Sequence, residues 1–133
     1  MPNQLLIGVD GHILTEFPHG SRIYLLNVLR EIGELNTGHR FVIFSNDKSK
    51  TSKMLPFLDF EHVEFPWHNK FFRLLYYFPL EIRKRGFDAF ISQYITPIRG
   101  GATHHIVVIH DVLFEDFPQY FSRFFVLRSK ILI

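Results

Sequence analysis

The feature that most constrains this chain is a series of short, almost uninterrupted apolar runs separated by segments whose apolar residues recur at helical spacing. Leu5 to Val9, closed by Asp10 and Gly11, has the pattern of a strand buried on both faces of a parallel sheet. Tyr24, Leu25, Val28, Leu29, Ile32 and Leu35 then fall on one helical face, with Arg30, Glu31 and Glu34 opposite, and Asn36 and Gly38 end the helix. Arg40 to Phe44 is a second strand, stopped by Ser45, Asn46 and Asp47. Lys48 to Phe60 suits a short helix around Pro56, and His62 to Phe65 a third strand. Between Trp67 and Gly86, Phe71, Leu74, Leu75, Phe78 and Ile82 share one face. Lys70, Arg73, Glu81 and Lys84 share the other, and Pro79 restarts the helix. Phe87 to Ser92 and Ile106 to Ile109 are two further strands, and Ser122 caps a last helix running to Ile133. This alternation predicts an α/β fold with a Rossmann-like, doubly wound, mostly parallel sheet.

At 133 residues the chain fits one domain, and an activity that needs an interdomain cleft needs more sequence than this. The last helix closes on Ile131, Leu132 and Ile133 with no glycine or polar tail, which reads as a domain cut before its end. The 16 phenylalanines supply a sizeable core and exclude a disordered chain. Lysine and arginine total 15 against 13 acidic residues, scattered rather than gathered into a stripe, which argues against nucleic acid. Without cysteine there is no disulfide, thiol nucleophile or zinc-thiolate site, so a cytoplasmic setting is the expectation. The N-terminus has no signal-peptide pattern, and the greasiest run, Leu74 to Leu80, is far shorter than the roughly 20 residues of a spanning helix. The aromatic and basic mixture of 67–85 also suits a membrane interface at the inner face of a membrane, although a core-packing helix is the favoured reading of the two.

In an open parallel sheet, ligands sit beyond the carboxyl ends of the strands, so the loops there are where chemistry is sought. One candidate is Pro18, His19, Gly20, Ser21 and Arg22, where a glycine lets a ligand reach the backbone and helix N-terminal amides favour an anion. From pattern alone a plain turn and helix cap is the commoner meaning. The other is His110 and Asp111: an imidazole able to exchange a proton near neutral pH beside a carboxylate able to orient a loop or accept from hydroxyls. A histidine bonded to backbone and a capping aspartate explain that pair equally well. His104 and His105 alternate to opposite faces, so no metal or other cofactor is expected.

Ile7 to Asp10, Gly20 to Asn27, Phe87 to Ile91, and Ile109, His110 and Asp111 with Phe117 to Ser122 together resemble family 4 glycosyltransferases in order and spacing along essentially the whole chain. The most specific pieces are His-Asp followed by Phe-Pro-x-Tyr-Phe-Ser, and Gly-Ser-Arg-x-Tyr-Leu-x-Asn opening the first helix. The resemblance implies the N-terminal, acceptor-side half of a GT-B architecture of two facing Rossmann-like domains, with residues 1–133 a part of that half and the donor-binding domain absent. It further implies transfer from a nucleotide-sugar with retention and without a required metal. A sugar or lipid-linked acceptor lies on this side of the cleft. His110 would line the cleft beside the transferred sugar as the catalytic residue, Gly20 and Ser21 would lie near the donor diphosphate, and Arg22 and Asp111 would complete the substrate-binding set, Asp111 supporting its loop. A non-catalytic α/β interaction module, or an inactive remnant of a transferase, is the alternative.

Overall fold

The computed structural model of the protein describes residues 3–65, 69–97 and 104–132. Its strands are β1 (Leu6–Asp10), β2 (Arg40–Ser45), β3 (Phe60–Glu64), β4 (Ala89–Gln93) and β5 (His104–Val108). They form one five-stranded sheet in the order β3-β2-β1-β4-β5. Every pairing is parallel, with Val9 opposite Ile43 on one side and Ile91 on the other. The chain therefore winds outward from β1 to β3 and returns to lay β4 on the free edge of β1. That reversal is the topological switch point of a doubly wound, Rossmann-like fold.

Alternation along the strands divides the core in two. Val9, Phe41 and Ile43 pack with Leu25, Leu29 and Leu55 against helices α1 (Gly20–Leu35) and α2 (Lys48–Met54). Val42, Phe44 and Phe90 pack with Leu74, Phe78 and Ile82 on the opposite face. Local signals end the helices as expected: Asn36 takes the left-handed conformation after α1, and the Asp47 carboxylate accepts from the Lys50 amide to cap α2. Helix α2 stops at Met54 rather than continuing toward Phe60, because Leu55 already leaves the helical region and Pro56 follows. The third strand accordingly begins at Phe60, two residues before the expected start.

The helical run 70–85 departs from its predicted pattern. It comprises α3 (Lys70–Phe72), a π-helical turn over Arg73–Tyr77, and α4 (Phe78–Arg85). The Phe78 amide donates to the carbonyl of Arg73, five residues back, which widens the helix just before Pro79. A proline there has no N–H and crowds the carbonyl four residues earlier, so a wide turn at this point relieves the clash without breaking the helix. The inserted residue also rotates the face: Arg73, which regular spacing sets among the solvated charges, is buried with Leu74. Leu74, Phe78 and Ile82 enter the core as predicted, whereas Phe71 and Leu75, assigned to the same face, are exposed. Trp67, the first residue of that expected segment, lies outside the described residues.

The C-terminal stretch folds as α5 (Leu113–Asp116), a 3-10 turn over Pro118–Tyr120 and α6 (Arg123–Leu132). Ser122 Oγ accepts from the Phe125 amide, the predicted cap. Phe124, Leu127 and Ile131 of α6 stand exposed, while Phe125 stacks on Phe121 at 5.2 Å. Among the described residues no helix is long and apolar enough to cross a membrane.

Close packing at β1 yields a direct test. A Cβ on Gly8 would lie 2.6 Å from Phe90 Cδ2, whereas one on Gly20 would meet open space. Gly8→Ala should therefore cost about 1–3 kcal/mol of overpacking, and Gly20→Ala should leave the urea midpoint near that of the wild type. A Gly8→Ala midpoint equal to the wild-type one would show that Phe90 yields without cost.

Candidate functional site

The carboxyl ends of β1 and β4 open into a cavity of about 470 Å³ at the switch point. Its floor is Asp10, the last residue of β1, and Gln93, the last of β4. The first turn of α1 contributes Ser21, the loop after β5 contributes Asp111, and α6 with the start of the helical run 70–85 closes the far side.

Asp10 is 1% exposed. A carboxylate so buried survives only with partners, and these arrive from two elements. Both the His12 amide and its ring Nδ1 sit on Oδ1, at 3.2 and 2.9 Å, and Arg73 Nε lies 3.7 Å from Oδ2. Burial by itself would raise the Asp10 pKa. The charge and hydrogen bonds of His12, joined by the Arg73 guanidinium, outweigh it and hold the group below the ordinary 3.8. Arg73 in turn stands over the rings of Phe65 and Phe78 at 5.5 and 5.9 Å.

His110 follows β5 and is packed edge-on against Tyr24 of α1, with ring centroids 5.1 Å apart, and against Tyr94 at 5.3 Å. Gln93 Oε1, which can only accept, takes a hydrogen bond from His110 Nε2 at 2.7 Å. Tyr94 holds this arrangement in a left-handed backbone conformation, φ 63°, that a bulky residue rarely adopts. Its amide is tied to the Val108 carbonyl at 2.9 Å.

The predicted residues divide accordingly. Ser21 and Asp111 line the cavity, and the Asp111 carboxylate accepts a long bond from the Leu113 amide at 3.4 Å. Gly20 starts α1, whose N-cap His19 makes no side-chain cap and whose first turn holds no acid, leaving its amides open to an anion. His110 reaches the cavity through Gln93. Arg22 turns away, donating to the Glu16 carbonyl at 2.8 Å and to the Met54 sulfur at 3.1 Å. β5 is a partly exposed edge strand over His104–Val108, and the His110-Asp111 pair begins two residues after its end. Asp10, His12, Gln93 and Arg73 were not among the predicted residues. The first three carry a signal, being polar residues at or just beyond the ends of apolar runs, but Arg73 carries none, because a π-turn breaks the spacing that would reveal it. Among the described residues no group of three His, Asp or Glu is arranged to hold a metal ion. No family model, curated protein or solved structure matches the chain.

The sign of the Asp10 shift sets its pH dependence. A folded pKa below the unfolded one adds stability that is present above about pH 4 and lost as pH falls through the folded value. Asp10→Asn should remove that component and leave Arg73 buried without a countercharge, at a cost on the order of 3–5 kcal/mol at pH 7. Urea midpoints of both proteins between pH 7 and pH 3 test this. A variant as stable as the wild type at pH 7, with the same acid limb, would deny Asp10 its role.

Proposed function

We propose that the chain is part of the acceptor-side, N-terminal domain of a two-domain glycosyltransferase that moves a sugar from a nucleotide-sugar donor to a sugar or lipid-linked acceptor with retention. The observation that supports this best is the convergence at one switch-point cavity of the open N-terminus of α1 with Ser21, the Asp111 loop and the His110-Gln93 pair. That convergence agrees with the residue pattern shared with family 4 glycosyltransferases. In this reading the second domain faces the cavity with the donor. His110 fixes Gln93 at the reacting side, and Ser21 with the α1 amides meets the diphosphate. A non-catalytic interaction module would have no use for a rotationally strained Tyr94 and a buried, bonded Gln93 at the cavity floor.

In the protein joined to its second domain, His110→Ala should lower transfer by about 10²- to 10³-fold, with a melting temperature within a few degrees of the wild type. Near-normal transfer by a variant of unchanged stability would retire His110. Residues 1–133 alone should transfer nothing, since one wall of a cleft cannot hold two substrates in one geometry.

A lipid-linked acceptor fits a further observation. The outer face of the run 70–85 exposes Phe71, Leu75, Tyr76 and Leu80 in a band, with Lys84 beside it. That composition is suited to the headgroup boundary of an anionic membrane. Cosedimentation with vesicles containing phosphatidylglycerol should be appreciable at low salt and fall as ionic strength rises, and Leu75→Glu with Leu80→Glu should abolish it. Absence of binding at low salt would make the band an ordinary exposed face.

A further inference from the structure

Positive charge is concentrated on one wall of the cavity. Lys70 and Arg73 at the start of the helical run and Arg128 on α6 line it together, against the carboxylates Asp10, Glu16 and Asp111. Asp10 and Arg73 neutralise one another, and the other two acids have contacts of their own. Asp10 is held by His12 and Arg73, Glu16 lies 3.6 Å from His19 Nε2, and exposed Asp111 takes the Leu113 amide. Among the described residues no carboxylate forms an ion pair with Lys70 or Arg128. Partial burial, and after it the Arg128 and Arg73 charges, push the Lys70 pKa below the usual lysine value against a smaller opposing pull from Asp10 and Glu16.

A buried donor lies deeper. Gln93 Nε2 has no hydrogen-bond partner among the described residues, although Gln93 is only 5% exposed and lines the cavity. Buried donors are seldom left unpaired, because each one costs its desolvation. A fixed donor at the floor beneath two cations is complementary to a compact ligand group with several acceptor oxygens and more than one negative charge. A phosphate meets that description; a neutral hydroxyl cluster meets only the donor, and a carboxylate has fewer oxygens and half the charge.

We propose that this cavity binds a phosphate group carried by the acceptor, with Gln93 Nε2 as a fixed donor and Lys70 and Arg128 as the closing cations. The assignment to the acceptor rests on reading this wall of the cleft as the acceptor side. The same phosphate chemistry is offered by a soluble sugar phosphate or by a lipid phosphate. The test therefore titrates the chain by calorimetry with glucose 1-phosphate, with glucose, and with monomeric dihexanoyl phosphatidic acid below its micelle concentration.

At least one phosphate probe should bind with strong salt dependence while glucose does not, and whichever phosphate binds names the source. Lys70→Gln and Arg128→Gln, both at the solvent-reaching side, should each weaken that binding about tenfold, the usual scale for one charge-assisted contact, while Lys53→Gln on α2 leaves it unchanged. Failure of both phosphates to bind, or equal binding by the Lys70→Gln with Arg128→Gln double variant, overturns the site. Transfer assays on the two-domain protein separate this from the parent reading. Transfer to neutral and phosphorylated acceptors alike, unaffected by the double variant, keeps the transferase and sinks the phosphate site. Phosphate binding that persists in a protein with no transfer supports the site and sinks the transferase.

Discussion

The buried carboxylate of Asp10 is the constraint on which the rest of this structure depends. An ion at the end of the central strand, out of contact with water, is tolerable only if countercharge and hydrogen bonds come to it, and nothing on β1 can supply them. His12 does so from the turn immediately after the strand, which explains why the chain doubles into a 3-10 turn over His12–Leu14 rather than running on. Arg73 does so from the other side of the sheet, and it reaches inward only because the helix carrying it is widened by a π-turn. A helical irregularity, a proline and a strand-end acid are thus parts of one electrostatic arrangement.

Aromatic packing holds that arrangement still. Phe44, fully buried in β2, meets Tyr77, Phe78, Phe87 and Phe90 with centroids 5.4 to 6.1 Å apart, mostly edge to face. Such contacts fix ring orientations as well as burying area. The same Phe78 lies beneath the Arg73 guanidinium, so the core positions the cation that neutralises Asp10. On the other face, the ring of Tyr24 on α1 holds His110, and His110 holds Gln93. The cavity floor is consequently set by the aromatic core on one side and by the Tyr24-His110 contact on the other.

This division explains what could be read from the sequence. Runs such as Leu5 to Val9 and Arg40 to Phe44 are apolar because both faces of their strands are covered, so the parallel α/β fold and the bounds of β1 and β2 were legible to within about a residue, whereas α1 begins at Gly20, inside the stretch read as a loop. The positions of Ser21 and Asp111 beside the cavity were legible for a related reason, since segments that follow the carboxyl ends of strands face the switch point, whereas His110 stands behind Gln93. Arg73 was not, because periodicity assumes 3.6 residues per turn and the π-turn abolishes that assumption where it matters. Lys70 and Arg128 lie on separate helices, and nothing local in either helix announces that they meet. Arg22, beside two well-placed residues, failed to join the cavity because one step along a helix turns a side chain by about 100°.

The charge balance of the cavity follows from the same constraint. Asp10 and Arg73 neutralise one another, so Lys70 and Arg128 are the cations that remain for a ligand. Asp10 also anchors the Arg73 side chain, whose guanidinium is fixed by an ion pair and two aromatic rings. Gln93 is fixed in its turn, because its Oε1 is held by His110 while its Nε2 is left without a partner. A preorganised donor of this kind binds an anion without first being ordered, which is where much of the cost of binding otherwise lies. The acid that looks like an obstacle to an anion at this site is therefore already neutralised by the residue it anchors.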